Sequence, residues 1–245
     1  MLARMDPRGR TVIVTGASAG IGKALARAFV SGGANVVLAS RNVQALNSLA
    51  NELGQEQTLV VPTDVTQRDQ IDALVDRTVE RFGRLDVLVN NAGVGLYTSV
   101  ADVDPDDFQR LFQVNLMGPL HGMQAAVRTM RKTGGGTIVN ISSGTSRIVV
   151  PFLGGTYPAL KRALEILSDY ARAQLADEGI KVLVVLPYIT ATKFAENVLG
   201  PRLAAAPNSD ASRRNLLPPH TAEFVAEKVL EGLRNDATEI SLAPA

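Results

Sequence analysis

The chain has no cysteine and no tryptophan, only two histidines, and aromatic residues at 4% of its 245 positions. Without cysteine there are no disulfides, thiolate metal ligands or cysteine nucleophiles, which fits a reducing, cytoplasmic compartment. With only His121 and His220, no histidine-rich metal site is expected. An excess of one charge is also lacking. Basic residues number 25 against 24 acidic ones, so no strong field draws the chain to nucleic acid or to an anionic membrane. No stretch approaches the ~18 consecutive apolar residues of a membrane span, and the opening MLARMDPRGR has no apolar run of a secretory signal.

What is plentiful is apolar surface to bury. At 46% hydrophobic residues the chain is too apolar to stay disordered. Because α/β folds reach about 250 residues as one unit, a single domain over 1–245 is expected. Seven short β-branched runs alternate with helical periodicity: Thr11 to Thr15, Asn35 to Ser40, Thr58 to Val61, Leu85 to Asn90, Thr137 to Ser142, Lys181 to Leu186 and Glu239 to Leu242. Between them the periodicity predicts helices over Ile21 to Val30, Val43 to Leu53, Arg68 to Arg81, Pro105 to Met130, Tyr157 to Ala176 and Ala222 to Arg234. Right-handed crossovers then give an α/β fold with a doubly wound, seven-stranded parallel sheet. The proline-rich stretch 188–219 follows the sixth strand at the edge where such sheets bind ligands, and is read as a segment covering the substrate.

The first strand runs into Thr15-Gly16-Ala17-Ser18-Ala19-Gly20-Ile21-Gly22 and then a helix. Gly16 can turn the chain sharply, Gly20 lets backbone approach a pyrophosphate, and Gly22 lets the helix pack on the sheet. The free N–H groups at that helix start favour phosphate. Three residues separate the first two glycines, and here the chain resembles the short-chain dehydrogenase/reductase family, whose signature is T-G-x-x-x-G-x-G. The resemblance implies a Rossmann-type fold and a nicotinamide dinucleotide held by Gly16, Ser18, Gly20, Ile21 and Gly22.

After the second strand, Ser40 and Arg41 stand where an NAD-preferring site would carry an acidic residue. A guanidinium pairs well with phosphate, so NADP(H) is expected, with NAD(H) as the second option. Asp64 and Val65 resemble the family's adenine contact, although Asp64 equally reads as a helix cap. Asn91, Ala92 and Gly93 end the fourth strand as the family's N-N-A-G motif does. Pro187 and Thr192 match the residues that follow the sixth strand, but Tyr188 replaces a family glycine there. Its side chain either reshapes the turn or helps to wall the substrate pocket.

Tyr157 and Lys161 are four residues apart, so a helix presents both on one face. Pro158 is tolerated only in a first turn, which sets Tyr157 at the helix start. A lysine cation beside a phenol of ordinary pKa about 10 would lower that pKa toward the range of a general acid or base. The resemblance makes Tyr157 the proton donor and acceptor, Lys161 its partner, Asn115 the support of a water, and a serine the orienting hydroxyl. Ser143 is chosen over Ser142 on spacing, since neighbours in a strand face opposite sides.

The function expected is hydride transfer between NADP(H) and a carbonyl or secondary alcohol. The alternative is a dinucleotide-binding regulatory or scaffold protein without turnover; a sugar-nucleotide epimerase would need a longer chain. Ile148 to Leu153, with Val94, Leu96 and Tyr97, point to a hydrophobic small-molecule substrate if they line the pocket. Family resemblance implies a homodimer through the helices flanking the fifth strand, or a homotetramer.

Overall fold

The computed structural model describes residues 5–149, 154–200 and 218–242. Seven parallel strands form one sheet: β1 (Thr11–Thr15), β2 (Asn35–Ser40), β3 (Thr58–Pro62), β4 (Val87–Asn90), β6 (Gly136–Ile141), β7 (Ile180–Leu186) and β9 (Glu239–Ser241). Their order is β3-β2-β1-β4-β6-β7-β9. The chain winds outward from β1 in one direction and from β4 in the other, which opens a crevice at the carboxyl ends of these two strands.

Successive strand residues face opposite sides, and here both sides are buried. Val12 and Val14 of β1 and Val36 and Leu38 of β2 join one apolar layer, whereas Ile13 and Val37 join the other. This explains the unbroken apolar runs in the sequence. The first layer packs against α1 (Gly20–Ser31), α2 (Val43–Leu53) and α7 (Ala222–Arg234). The second packs against α3 (Arg68–Phe82), α5 (Gly118–Thr133) and α6 (Thr156–Leu175).

Two expected elements are altered. The fourth strand begins at Val87 and not at Leu85, and just before it the Asp86 carboxylate accepts from Arg10, Arg84 and the Thr11 N–H. The helix expected over Pro105 to Met130 is α4 (Pro105–Phe112), then a π turn over Gln113–Met117, then α5. Such a turn carries one extra residue and is frequent at functional sites. Two short strands absent from the sequence reading, β5 (Gly95–Leu96) and β8 (Val198–Leu199), pair with each other. They tie the segment after β7 to the segment after β4. Of the expected covering segment, residues 201–217 lie outside the described residues, as do 150–153. No described helix is long and apolar enough to cross a membrane.

Candidate active site

The glycine loop is built around contacts that leave no room for side chains. Gly16 has φ +67° and Gly20 φ +52°, both in the left-handed region. A Cβ on Gly22 would lie 2.3 Å from the Gly16 carbonyl oxygen and 2.5 Å from Nδ2 of Asn91. Thr15 closes the floor: its Oγ1 donates to the Val89 oxygen and accepts from the N–H groups of Asn91 and Ala92 at 3.0 and 3.1 Å. Asn91 Nδ2 donates to the Thr15 oxygen at 2.8 Å. The loop and the turn after β4 are thus one unit. Ala19 stands at the cap position of helix α1 and makes no side-chain bond, so the first N–H groups of the helix are left without a side-chain cap. Such donors fit the phosphates of a dinucleotide.

The segment after β7 comes down over this loop. A Cβ on Gly20 would meet the Thr192 side chain at 3.2 Å. Pro187 is buried, and its oxygen accepts from the Gly144 N–H at 2.9 Å. Tyr188 packs edge-on against His220 with ring centroids 5.9 Å apart, and His220 in turn packs on Phe224 of α7. Backbone bonds from Ala191 to His220 and from His220 to Ile189 dock the turn there. Among the described non-glycine residues only Asp236 has positive φ, so Tyr188 sits in the turn without left-handed backbone.

Other expected contacts fall along the same edge. Ser40 Oγ accepts from the Asn42 N–H, and Arg41 is exposed beside it. Asp64 is not the cap of α3. Its Oδ1 accepts from the Thr66 N–H and hydroxyl at 3.0 and 2.8 Å, while Gln67 occupies the cap position without a side-chain bond. Val65 packs against Gly118, where a Cβ would stand 3.0 Å from it.

Tyr157 and Lys161 lie in the first two turns of α6, both more than nine-tenths buried. Lys161 Nζ donates to the Ile141 oxygen at 2.9 Å and lies 5.7 Å from the centroid of the Tyr157 ring. Burial lowers its pKa to about 8, against a smaller upward pull from Glu165. Burial also dominates at Tyr157 and raises its pKa, with Tyr97 adding to the rise and the Ser143 hydroxyl opposing it. The downward shift expected from the lysine cation is therefore not what this structure gives: loss of hydration raises the phenol, and the opposing pull comes from the Ser143 hydroxyl. The phenol is protonated at neutral pH.

The two serines diverge as neighbours at a strand end do. Ser142 is buried and turns its hydroxyl to Glu165 Oε1 at 2.6 Å. Ser143 faces Tyr157 and shares a 2.8 Å hydrogen bond with Thr145 Oγ1. Asn115, fully buried in the π turn, clamps Val94 by accepting from its N–H at 2.9 Å and donating to its oxygen at 2.8 Å. A Cβ on Gly93 would come within 3.4 Å of Asn115 Oδ1 and 3.7 Å of Lys161 Nζ. The residue types after β4, in α4–α5 and in α6 thus converge on one spot.

On the outer side of Tyr157 the walls are apolar. Tyr97 stands edge-on at 6.0 Å and Phe194 at 5.9 Å, and Leu96, Val94 and Leu199 belong to the same apolar cluster. Ile148 and Val149 are instead exposed, at 53% and 93%.

Comparison with known proteins agrees with this architecture. The sequence profile described as "short chain dehydrogenase" matches residues 10–201. The chain belongs to the short-chain dehydrogenase family. An uncharacterized oxidoreductase of Staphylococcus aureus strain MW2 is 34% identical over 235 residues, covering 96% of this chain and 97% of that protein. A short-chain dehydrogenase/reductase of Burkholderia phymatum, solved in complex with NAD, is 28% identical with a TM-score of 0.85, covering 97% of this chain and 90% of its own. An alcohol dehydrogenase of Thermococcus sibiricus, solved with 5-hydroxy-NADP, is 27% identical with a TM-score of 0.82, covering 96% and 99%.

In this short-chain dehydrogenase two contributors escaped the sequence reading. Phe194 sits in a short 3-10 turn with no periodicity to announce it. Glu165 is one helical turn beyond Lys161 and only 1% exposed; in the sequence it looks like any helix carboxylate. The sequence signal available for it was its i+4 spacing from Lys161, on the same helix face.

Proposed function

We propose that the protein is an NADP(H)-dependent oxidoreductase acting on a carbonyl or secondary alcohol, with Tyr157 as general acid and base. The observation that carries this reading is the meeting of Tyr157, Lys161 and Ser143 beside Gly93, at the carboxyl edge of the sheet and across from the glycine loop.

The crevice suits a dinucleotide on its own geometry. Gly16, Ser18, Gly20, Ile21 and Gly22 surround the open α1 N-terminus, and the Gly93 surface, bare of a side chain, lies against the Lys161 amine. Ser40 and Arg41 would hold a 2′-phosphate, Asp64 and Val65 the adenine, and Asn91, Ala92 and Gly93 the ribose. Pro187 and Thr192 would border the nicotinamide. When bound, the dinucleotide supplies a hydride in reduction and accepts one in oxidation.

The chain's own residues then handle the proton. In reduction the protonated Tyr157 phenol donates to the substrate oxygen, and its raised pKa keeps the required form populated. The Lys161 ammonium stabilises the phenolate left behind. Ser143 donates a hydrogen bond that orients the same oxygen. Asn115 holds Val94 in the pocket wall and, by family resemblance, supports the water that connects Lys161 to solvent. Tyr97, Phe194 and Leu96 exclude water and favour an apolar substituent on the carbonyl.

Residues 188–200, the described beginning of the segment expected over 188–219, border the substrate in this reading, and the β5–β8 pairing supports it by latching 198–199 to 95–96. One domain over 1–245 and a cytoplasmic location belong to the same proposal. So does a homo-oligomer, a dimer or tetramer, because Ile166 and Tyr170 leave 47% and 66% of their surface exposed on one face of α6. Parallel calorimetric titration with NADPH and NADH tests the reading. Tight NADPH and weak NADH are expected; binding of neither by folded protein would contradict it.

A further inference from the structure

Glu165 is a carboxylate at 1% exposure that the proposed chemistry does not use. Its two oxygens are fully engaged on opposite sides. Oε1 accepts from the hydroxyls of Ser142, at 2.6 Å, and Ser146. Oε2 accepts from Arg147 Nε at 3.1 Å and Arg162 Nη1 at 2.8 Å. Three of these four donors belong to the turn that carries Ser143; the fourth and Glu165 itself belong to the helix that carries Tyr157 and Lys161. Ser142 Oγ also lies 3.2 Å from the Lys161 oxygen.

We propose that Glu165 is a positioning residue of the active site, whose buried carboxylate fastens the serine turn 142–147 to helix α6 and so keeps Ser143 in register with Tyr157. This rests on the reductase reading for its consequence, but not for its geometry. The physical argument is one of acceptors. The turn presents two hydroxyl donors and one guanidinium to a carboxylate that is itself buried, and a group accepting at both ends meets all three at once. Two arginines offset the charge that burial would otherwise disfavour. The carboxylate stays ionised because bonds from Ser142, Ser146, Arg162 and Arg147 together lower its pKa against the upward push of burial. Arg147 also donates through its other nitrogens to Glu239 on edge strand β9, at 2.8 and 2.5 Å, a contact on the exposed side of the arginine that is separate from its bond to Glu165.

A neutral amide meets this set only in part. In Glu165→Gln the oxygen can face the arginines, while the amide nitrogen faces two hydroxyls that must rotate to accept. The Ser142 hydroxyl can still turn to the Lys161 oxygen, so Gln should fold. Glu165→Leu removes both ends, so that Ser142, Ser146 and Arg147 keep only their other partners, the Lys161 oxygen, the Ser143 oxygen and Glu239, and nothing joins the turn to the side chain at position 165.

The test combines hydrogen exchange with kinetics on the full chain. In Glu165→Gln the exchange of amides 143–147 should rise at least tenfold with α1 and β1 unchanged, and Glu165→Leu should show a larger rise if it folds. With NADPH and ethyl acetoacetate as probe, kcat should fall tenfold or more in Glu165→Gln while NADPH affinity and KM stay within twofold. Glu239→Gln, which leaves all four bonds of Glu165 in place, should keep kcat within twofold. Unchanged exchange in 143–147 overturns the inference, and so does a Gln variant with wild-type kcat. If wild-type protein does not reduce the probe, the exchange result alone decides the inference. If it binds no dinucleotide, the reductase reading fails separately.

Discussion

Lys161 and Tyr157 lie one helical turn apart with the lysine nitrogen 5.7 Å from the phenol ring, and both are buried enough that loss of hydration dominates their ionisation. The effect works in opposite senses on the two groups, raising the phenol and lowering the amine. The phenol is thereby kept as an acid while the amine is brought near neutrality.

The first prediction is a pH dependence. With its pKa lowered to about 8, Lys161 loses its proton as pH rises through that value, and the charge that stabilises the phenolate is lost with it. The rate of carbonyl reduction should therefore be level below about pH 7 and decline above about pH 8. Lys161→Arg, whose guanidinium keeps its charge, should remove this limb even if its overall rate is lower. A rate profile from pH 6 to 10 checks the sign.

The second prediction concerns the glycine loop. Gly22→Ala would drive a methyl group to 2.3 Å from the Gly16 oxygen, a backbone atom that cannot yield cheaply. A loss of about 1–3 kcal/mol in stability is expected from this overpacking, together with loss of dinucleotide binding. Thermal melting and titration of the same sample read both.

The third prediction addresses cofactor choice. Arg41 is exposed at the end of β2, beside Ser40. Arg41→Ala should weaken NADPH by about ten- to hundredfold, the equivalent of about 1.5–3 kcal/mol, and leave NADH within twofold. Equal weakening of both cofactors would contradict a 2′-phosphate contact.

The fourth prediction concerns assembly. Ile166 and Tyr170 are one turn apart on α6 and exposed at 47% and 66%. Replacing both with glutamate should convert a dimer or tetramer to a smaller species in sedimentation, with the fold intact. An unchanged sedimentation coefficient would place the interface elsewhere.

Much of this arrangement was legible in the sequence. The bounds of β1, β2, α2 and α7 follow from apolar period and flanking turn residues, and the glycine loop announces itself by a strand before it and a helix after it. What escaped had no period to read. The π turn around Asn115 adds a residue inside a continuous helical pattern, so 105–130 looked like one helix. Strands of two residues, such as Gly95–Leu96, carry no alternation. The ionisation of Tyr157 was expected to fall and instead rises, because burial depends on Tyr97 and the surrounding packing, which motif spacing does not encode. Glu165 differs from a surface carboxylate only through the turn that folds over it.

The central claim is that Tyr157 moves the proton beside a bound dinucleotide, and Tyr157→Phe tests it most directly. The substitution deletes one oxygen and keeps the ring between Tyr97 and Phe194. NADPH affinity of the variant and its turnover of any carbonyl reduced by the wild type should be measured side by side. The account predicts affinity within about threefold and a rate reduced by a factor of about 10² to 10⁴, the span of a lost general acid. Retention of wild-type turnover by the phenylalanine variant would contradict it.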